Sequence, residues 1–141
     1  MQLPMKAHYA TLAMLVLADR HVSREVLPAR QIAEEQSIPL QFLTQILQQL
    51  RSAGLVSSTR GANGGFFLQR SPERITLSEV IDAVCPANPQ SPVDSTASMM
   101  SDVVHEVWQE LQAQQRATLA RLTLAELLAR CRDASRVMFY I

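Results

Sequence analysis

Aromatic side chains are scarce in this chain, at 5% of residues, and glycine occurs only four times. A core built on stacked rings is therefore excluded, and Leu, Val, Ile, Ala and Met must do most of the packing. Cysteine is limited to Cys85 and Cys131. Two cysteines make no disulfide framework, so a reduced, cytoplasmic protein is expected. Charge of one sign is lacking as well: 13 Lys and Arg balance 13 Asp and Glu. No global basic signal for nucleic acid exists. The apolar stretch "YATLAMLVLA" is too short to span a bilayer and lacks a cleavage site, so neither a membrane span nor a targeting segment is read. Nucleophile motifs, metal triads and paired acids are also missing. "GANGG" imitates a phosphate loop, but it leads into a strand rather than a helix. An enzyme is not expected.

What is present suffices for a real core. Apolar residues make up 48% of the 141, a length that fits one domain with an appended element. The charge is unevenly spread. Residues 1–70 hold seven Lys and Arg against four Asp and Glu, while residues 71–141 hold six against nine. The first half is mildly basic, which permits a DNA-facing surface there.

"HYATLAMLVLADR" reads as a buried helix. "ARQIAEEQS" reads as a short second helix led by Pro28, with Ile32 and Ala33 inward. After a tight connection, "PLQFLTQILQQLRSAG" reads as a third helix, with Pro39 at its first turn and Gly54 just past its end. Leu43, Ile46, Leu47 and Leu50 form an apolar stripe at helical spacing. Gln41, Thr44, Gln45 and Gln48 share another face, which is polar, uncharged and rich in both donors and acceptors. "STRGANGGFFL" then reads as a hairpin, with Asn63-Gly64 as its tight turn and Arg60 near the tip. Phe42, Phe66 and Phe67 are read as packing residues.

Helix, short helix, turn, longer helix and hairpin is the order of a winged helix-turn-helix. The fold class expected is mainly α with a small β-hairpin wing. On this reading the Gln-rich face meets base edges, since Gln pairs well with adenine. Arg60, Asn63 and Gly64 form the wing's DNA-facing part, and the glycines keep the wing thin enough to lie on a phosphate backbone. Lys6, Arg30 and Arg51 are further candidates for phosphate contact.

"TLSE" at residues 76–79 is a capping box opening a helix with Val80, Ile81 and Val84 inward. Residues 86–98 hold three of the seven prolines and read as a linker. A long helical pattern follows, with Met100, Val103, Val104, Val107, Trp108 and Leu111, running to about residue 121. Thr123 and Glu126 suggest a second capping box, and the tail "RVMFYI" is apolar. The long stripe needs a cover, and a second copy of the chain is the expected one. The organisation expected is thus a DNA-binding domain at 1–85, a linker or signal loop at 86–98, and a dimerisation helix with a C-terminal helix and tail at 99–141.

"FLTQILQQLRSAGLVSSTRGANGGFFL", the opening "MQLPMKAHYATLAMLVLA" and "ERITLSEVIDAV" together resemble the bacterial regulator family that includes IscR, NsrR and CymR. The resemblance implies a dimeric winged-helix transcription regulator; a homodimeric repressor is expected, and its two-fold symmetry would match a palindromic site in double-stranded DNA. It implies a reading helix over residues 39–53 in the major groove, with base-reading positions at Gln41, Phe42 and Thr44, and Arg60 at the minor groove. There are departures. Pro39 stands where the family usually has Ser, and Thr44 where it often has an acid. The iron–sulfur members carry three cysteines in the linker, and this chain has none between Pro86 and Arg130. No cofactor is expected, and the signal would be a small molecule or a redox change. A non-standard cluster or redox site at His8, Cys85 and His105 is one alternative. A winged-helix module that binds only protein is another.

Overall fold

The computed structural model describes residues 3–86 and 98–139. Its helices are α1 (Met5–Asp19), α2 (Ala29–Gln36), α3 (Leu40–Ser52), α4 (Leu77–Val84), α5 (Met99–Arg121) and α6 (Leu124–Phe139). Between α3 and α4 lie the strands β1 (Val56–Thr59) and β2 (Gly65–Leu68), then a single 3-10 turn at Pro72–Arg74. The mainly helical fold with one antiparallel hairpin matches the expected class. Most of the proposed linker at 86–98, and the last two residues of the tail, fall outside the described residues.

The core forms around α1, where Ala7, Ala10, Ala13, Met14 and Leu17 are buried. Alanines at this spacing let neighbouring helices approach closely. Pro28 and Pro39 each precede a helix, and their φ angles of −62° and −58° set the chain direction where no side-chain cap exists. Between α2 and α3 the chain reverses at Ser37, which has φ +54°. Ile38, almost wholly buried, pins this turn, and its N–H bonds Ala33 O at 3.0 Å.

The apolar stripe of α3 is covered as expected: Leu43, Ile46, Leu47 and Leu50 are all at most 1% exposed. Each such burial stabilises the fold by about 1.5–3 kcal/mol. The helix stops at a Schellman motif. Gly54, at φ +79°, takes the left-handed position, and its N–H bonds Arg51 O at 3.0 Å. Leu55 N–H then bonds Leu50 O, also at 3.0 Å.

In the hairpin, Val56 faces Leu68 and Thr59 faces Gly65. Leu27 adds a third rung outside the named strands: its N–H bonds Phe66 O at 3.0 Å and Phe66 N–H bonds Leu27 O at 2.7 Å. The turn differs from the expectation. Positive φ falls on Gly61, at +114°, and Gly64 closes the turn by donating to Gly61 O at 3.0 Å. Asn63-Gly64 is therefore not a two-residue turn of its own. Gly64 and Gly65 answer to crowding inside the protein. A Cβ on Gly64 would strike Thr59 O, and one on Gly65 would strike the Leu27 backbone.

Arg70 reaches from the end of the wing to Glu79 in α4, with Nη2 to Oε2 at 3.0 Å. The Thr76–Glu79 capping box forms as expected. Val80 and Val84 are buried, but Ile81 is only half-buried, so the inward face of α4 is narrower than the sequence suggested. Phe66 and Phe67 are half-buried at the wing, whereas Phe42 is 60% exposed and does not pack in the core.

α5 and α6 behave differently. None of the α5 residues is buried. Leu124 at the start of α6 is fully buried in the core formed around α1. A short antiparallel bridge between Thr76 and Thr123 ties the two segments, with Leu77 N–H to Leu122 O at 2.8 Å and Leu124 N–H to Ile75 O at 3.0 Å. Thr123 Oγ1 accepts from Glu126 N–H at 3.2 Å, so it caps α6. Arg132 in α6 reaches Asp19 at 3.5 Å. The C-terminal helix thus returns to α1, which its sequence pattern did not announce.

Candidate nucleic-acid interface

Burying one side of α3 dictates what the other side offers. Gln41, Phe42, Thr44, Gln45 and Gln48 are exposed, and Gln49 is half-buried. The carboxamides carry donors and acceptors at the tips of flexible side chains. Thr44 is more committed. Its hydroxyl donates to Leu40 O at 2.9 Å, so it presents lone pairs and a methyl group outward. Such a face can pair with adenine edges and touch thymine methyls without any charge of its own.

The wing stands beside this helix, where buried Leu55 and Val56 anchor the start of β1 and Arg51 Nη1 donates to Ser58 Oγ at 3.1 Å. This bond gives Arg51 a structural partner, although sequence reasoning had grouped it with the phosphate candidates. Arg60 directly follows β1 and is exposed, with no hydrogen bond or ion pair among the described residues. Asn63 is exposed at the tip, and Gly64 is half-buried behind it.

A shallow groove of about 600 Å³ runs beside the polar face, lined by Lys6, Gln45, Gln48, Gln49 and Ser52 among others. Gln49 Oε1 is buried there and accepts no hydrogen bond. Sequence reasoning had passed over Ser52. Its hydroxyl donates to Gln48 O at 3.0 Å, and it extends the exposed polar face of α3 by one turn.

The alternative ligand set does not assemble. His8 is exposed on α1, Cys85 is half-buried after α4, and His105 lies in α5, where Gln109 Nε2 donates to its Nε2 at 3.0 Å. Among the described residues, no group of three or more His, Cys, Asp or Glu could hold a metal ion. The donor set of one chain therefore does not fit an iron–sulfur cluster, which draws on thiolates this chain does not supply. No helix among the described residues is long and apolar enough to cross a membrane.

Comparison with known proteins places these features in a family. A family model described as an iron-dependent transcriptional regulator, Rrf2, matches residues 3–130. The HTH-type transcriptional regulator IscR of Xenorhabdus nematophila is 35% identical over 136 residues, which span 91% of this chain and 79% of that protein. The solved structure of T. potens IscR superposes with a TM-score of 0.78 at 30% identity, covering 95% of this chain and 90% of that one. CymR, the global cysteine regulator of B. subtilis, superposes with a TM-score of 0.78 at 26% identity, covering 92% and 98%. These relatives are regulators rather than enzymes. On this evidence the chain belongs to the Rrf2 family and is a DNA-binding transcription regulator of the winged-helix kind.

Proposed function

We propose that the protein is a cytoplasmic homodimeric repressor that reads a palindromic operator. α3 enters the major groove, and Gln41, Phe42, Thr44, Gln45 and Gln48 meet the base edges. The wing reaches the adjacent minor groove, where Arg60 supplies charge, with Asn63 and Gly64 at the approach. The observation that carries this reading is the division of α3: its apolar stripe is sealed in the core, and an uncharged hydrogen-bonding face is left in solvent.

A second copy of the chain pairs through α5. Val103, Val104, Val107, Trp108 and Leu111 are 44–62% exposed along this helix. A stripe of that size on a 23-residue helix demands a partner. Pairing would set two reading helices about one DNA turn apart. No resident cofactor enters this reading. Signals would act on the spacing of the two heads through the linker and α5.

Duplex binding measured across a salt series tests the proposal. Affinity should fall steeply as salt rises, and Arg60→Ala should weaken binding to every duplex and lower the salt slope by about 1. No binding to duplex at any salt would instead mark a protein-only module.

A further inference from the structure

Between the α1–α2 loop and the wing lies a cleft of about 500 Å³ that the DNA reading does not use. This is within the usual size of a small-ligand site, about 300–1,000 Å³. Val26 and Phe67, both half-buried, give it an apolar wall. His21, Arg24, Glu25 and Thr59 form its polar side.

The charges on that side are not balanced against one another. Arg20 engages both neighbouring acids, Glu25 at 3.4 Å and Glu35 at 2.7 Å. Arg24 has no ion-pair partner among the described residues. It is also held in a left-handed conformation, φ +54°, with its N–H on His21 O at 3.1 Å. For a residue other than glycine that backbone costs about 1–2 kcal/mol. The loop therefore holds the backbone of Arg24 at the cleft's edge, and a cation without an ion-pair partner among the described residues lines the cleft beside an apolar wall. A contact to DNA phosphate would need the cation but not the wall.

We propose that this cleft binds a small organic anion, a carboxylate on a compact aryl or branched alkyl body. The carboxylate sits against Arg24 and the apolar body against Val26 and Phe67. Occupancy reaches the DNA through the wing. Thr59 is the last residue of β1, next to Arg60, and Phe67 lies opposite Ser57 in the hairpin. This second step rests on the DNA reading above, whereas the binding step does not.

The test uses the full chain with benzoate and isovalerate as probes and benzyl alcohol as an uncharged control. Without DNA, both anions should shift the NMR amide signals of Val26, Thr59 and Phe67, the alcohol much less. Arg24→Gln should weaken anion binding at least about tenfold. With duplex present, saturating benzoate should change DNA affinity by about fivefold or more, and the variant should lose that response. The proposal is overturned if neither anion binds at tens of millimolar, or if Arg24→Gln binds them equally well. It also fails if Arg24→Gln, with no anion present, weakens duplex binding as much as Arg60→Ala, which would make Arg24 a phosphate contact. Anion binding by a protein that bound no duplex would leave the cleft standing and remove the DNA reading. Duplex binding without anion binding would do the reverse.

Discussion

α3 and α5 are both helices with apolar residues at helical spacing, yet the fold treats them in opposite ways. In α3 the apolar stripe is sealed and the polar face is left out. In α5 the apolar residues themselves are left out, from Leu111 at 44% to Met99 at 83% exposed. One helix is completed by its own chain and has a surface free for a polar partner. The other is incomplete and calls for an apolar one. Hydrophobic periodicity reveals that a stripe exists; it does not say who covers it.

The contrast can be broken most sharply on α5. Replacing Val104 and Val107 together with Asp should leave the monomer folded, since neither is buried. Sedimentation should then report a monomer, and operator affinity should fall by about 10²–10⁴-fold, because two linked heads gain that much over one. A variant that stayed dimeric would show that another surface joins the copies. The counterpart on α3 is Leu47→Ala. This empties a fully buried position and should cost about 2–5 kcal/mol in urea unfolding, with dimerisation spared in the fraction that remains folded.

A smaller effect sharpens how the frame around α3 is held. Glu35 on α2 accepts from Arg20 at 2.7 Å and from Gln31 at 3.2 Å. The bond from Arg20 is the main cause that holds its carboxyl below the usual range, the Gln31 bond helps, and partial burial opposes both. A depressed folded-state pKa means the pair's contribution is complete at neutral pH. It fades as pH falls below the free Glu value of about 4.3. Glu35→Gln should cost at most about 1 kcal/mol at pH 7 and flatten the acid limb of the stability curve.

Local signals in the sequence were enough for most of the first half. The α3 stripe, the Gly54 stop and the Thr76–Glu79 box depend on residues within a turn or two of each other, and each formed as read. What failed to show depends on distant partners. Gly65 is required by Leu27, which is its neighbour in space but is separated from it in the chain by α2 and α3, so in sequence the glycine cluster looks like a feature of the turn alone. Leu124 resembles any other helix leucine until its bridge to Ile75 draws it into the core. For Phe42 the sequence supports two readings, packing because aromatics usually pack and base contact because of the family resemblance; its place on the polar side of α3 leaves it in solvent, so the packing reading fails. The candidate face itself was legible, since covering one side of a helix determines the opposite side. Its neighbour Ser52 was not, because the groove beside it also needs Lys6 from α1.

The most direct measurement is selection from a randomised duplex pool by the parent protein and by Gln41→Ala and Thr44→Ala. If the exposed side of α3 reads bases, each variant should relax or change the preference at particular base pairs, by about 1–3 kcal/mol per contact. Total affinity for mixed duplex should change little. An identical selected sequence from all three proteins would contradict the assignment of that face.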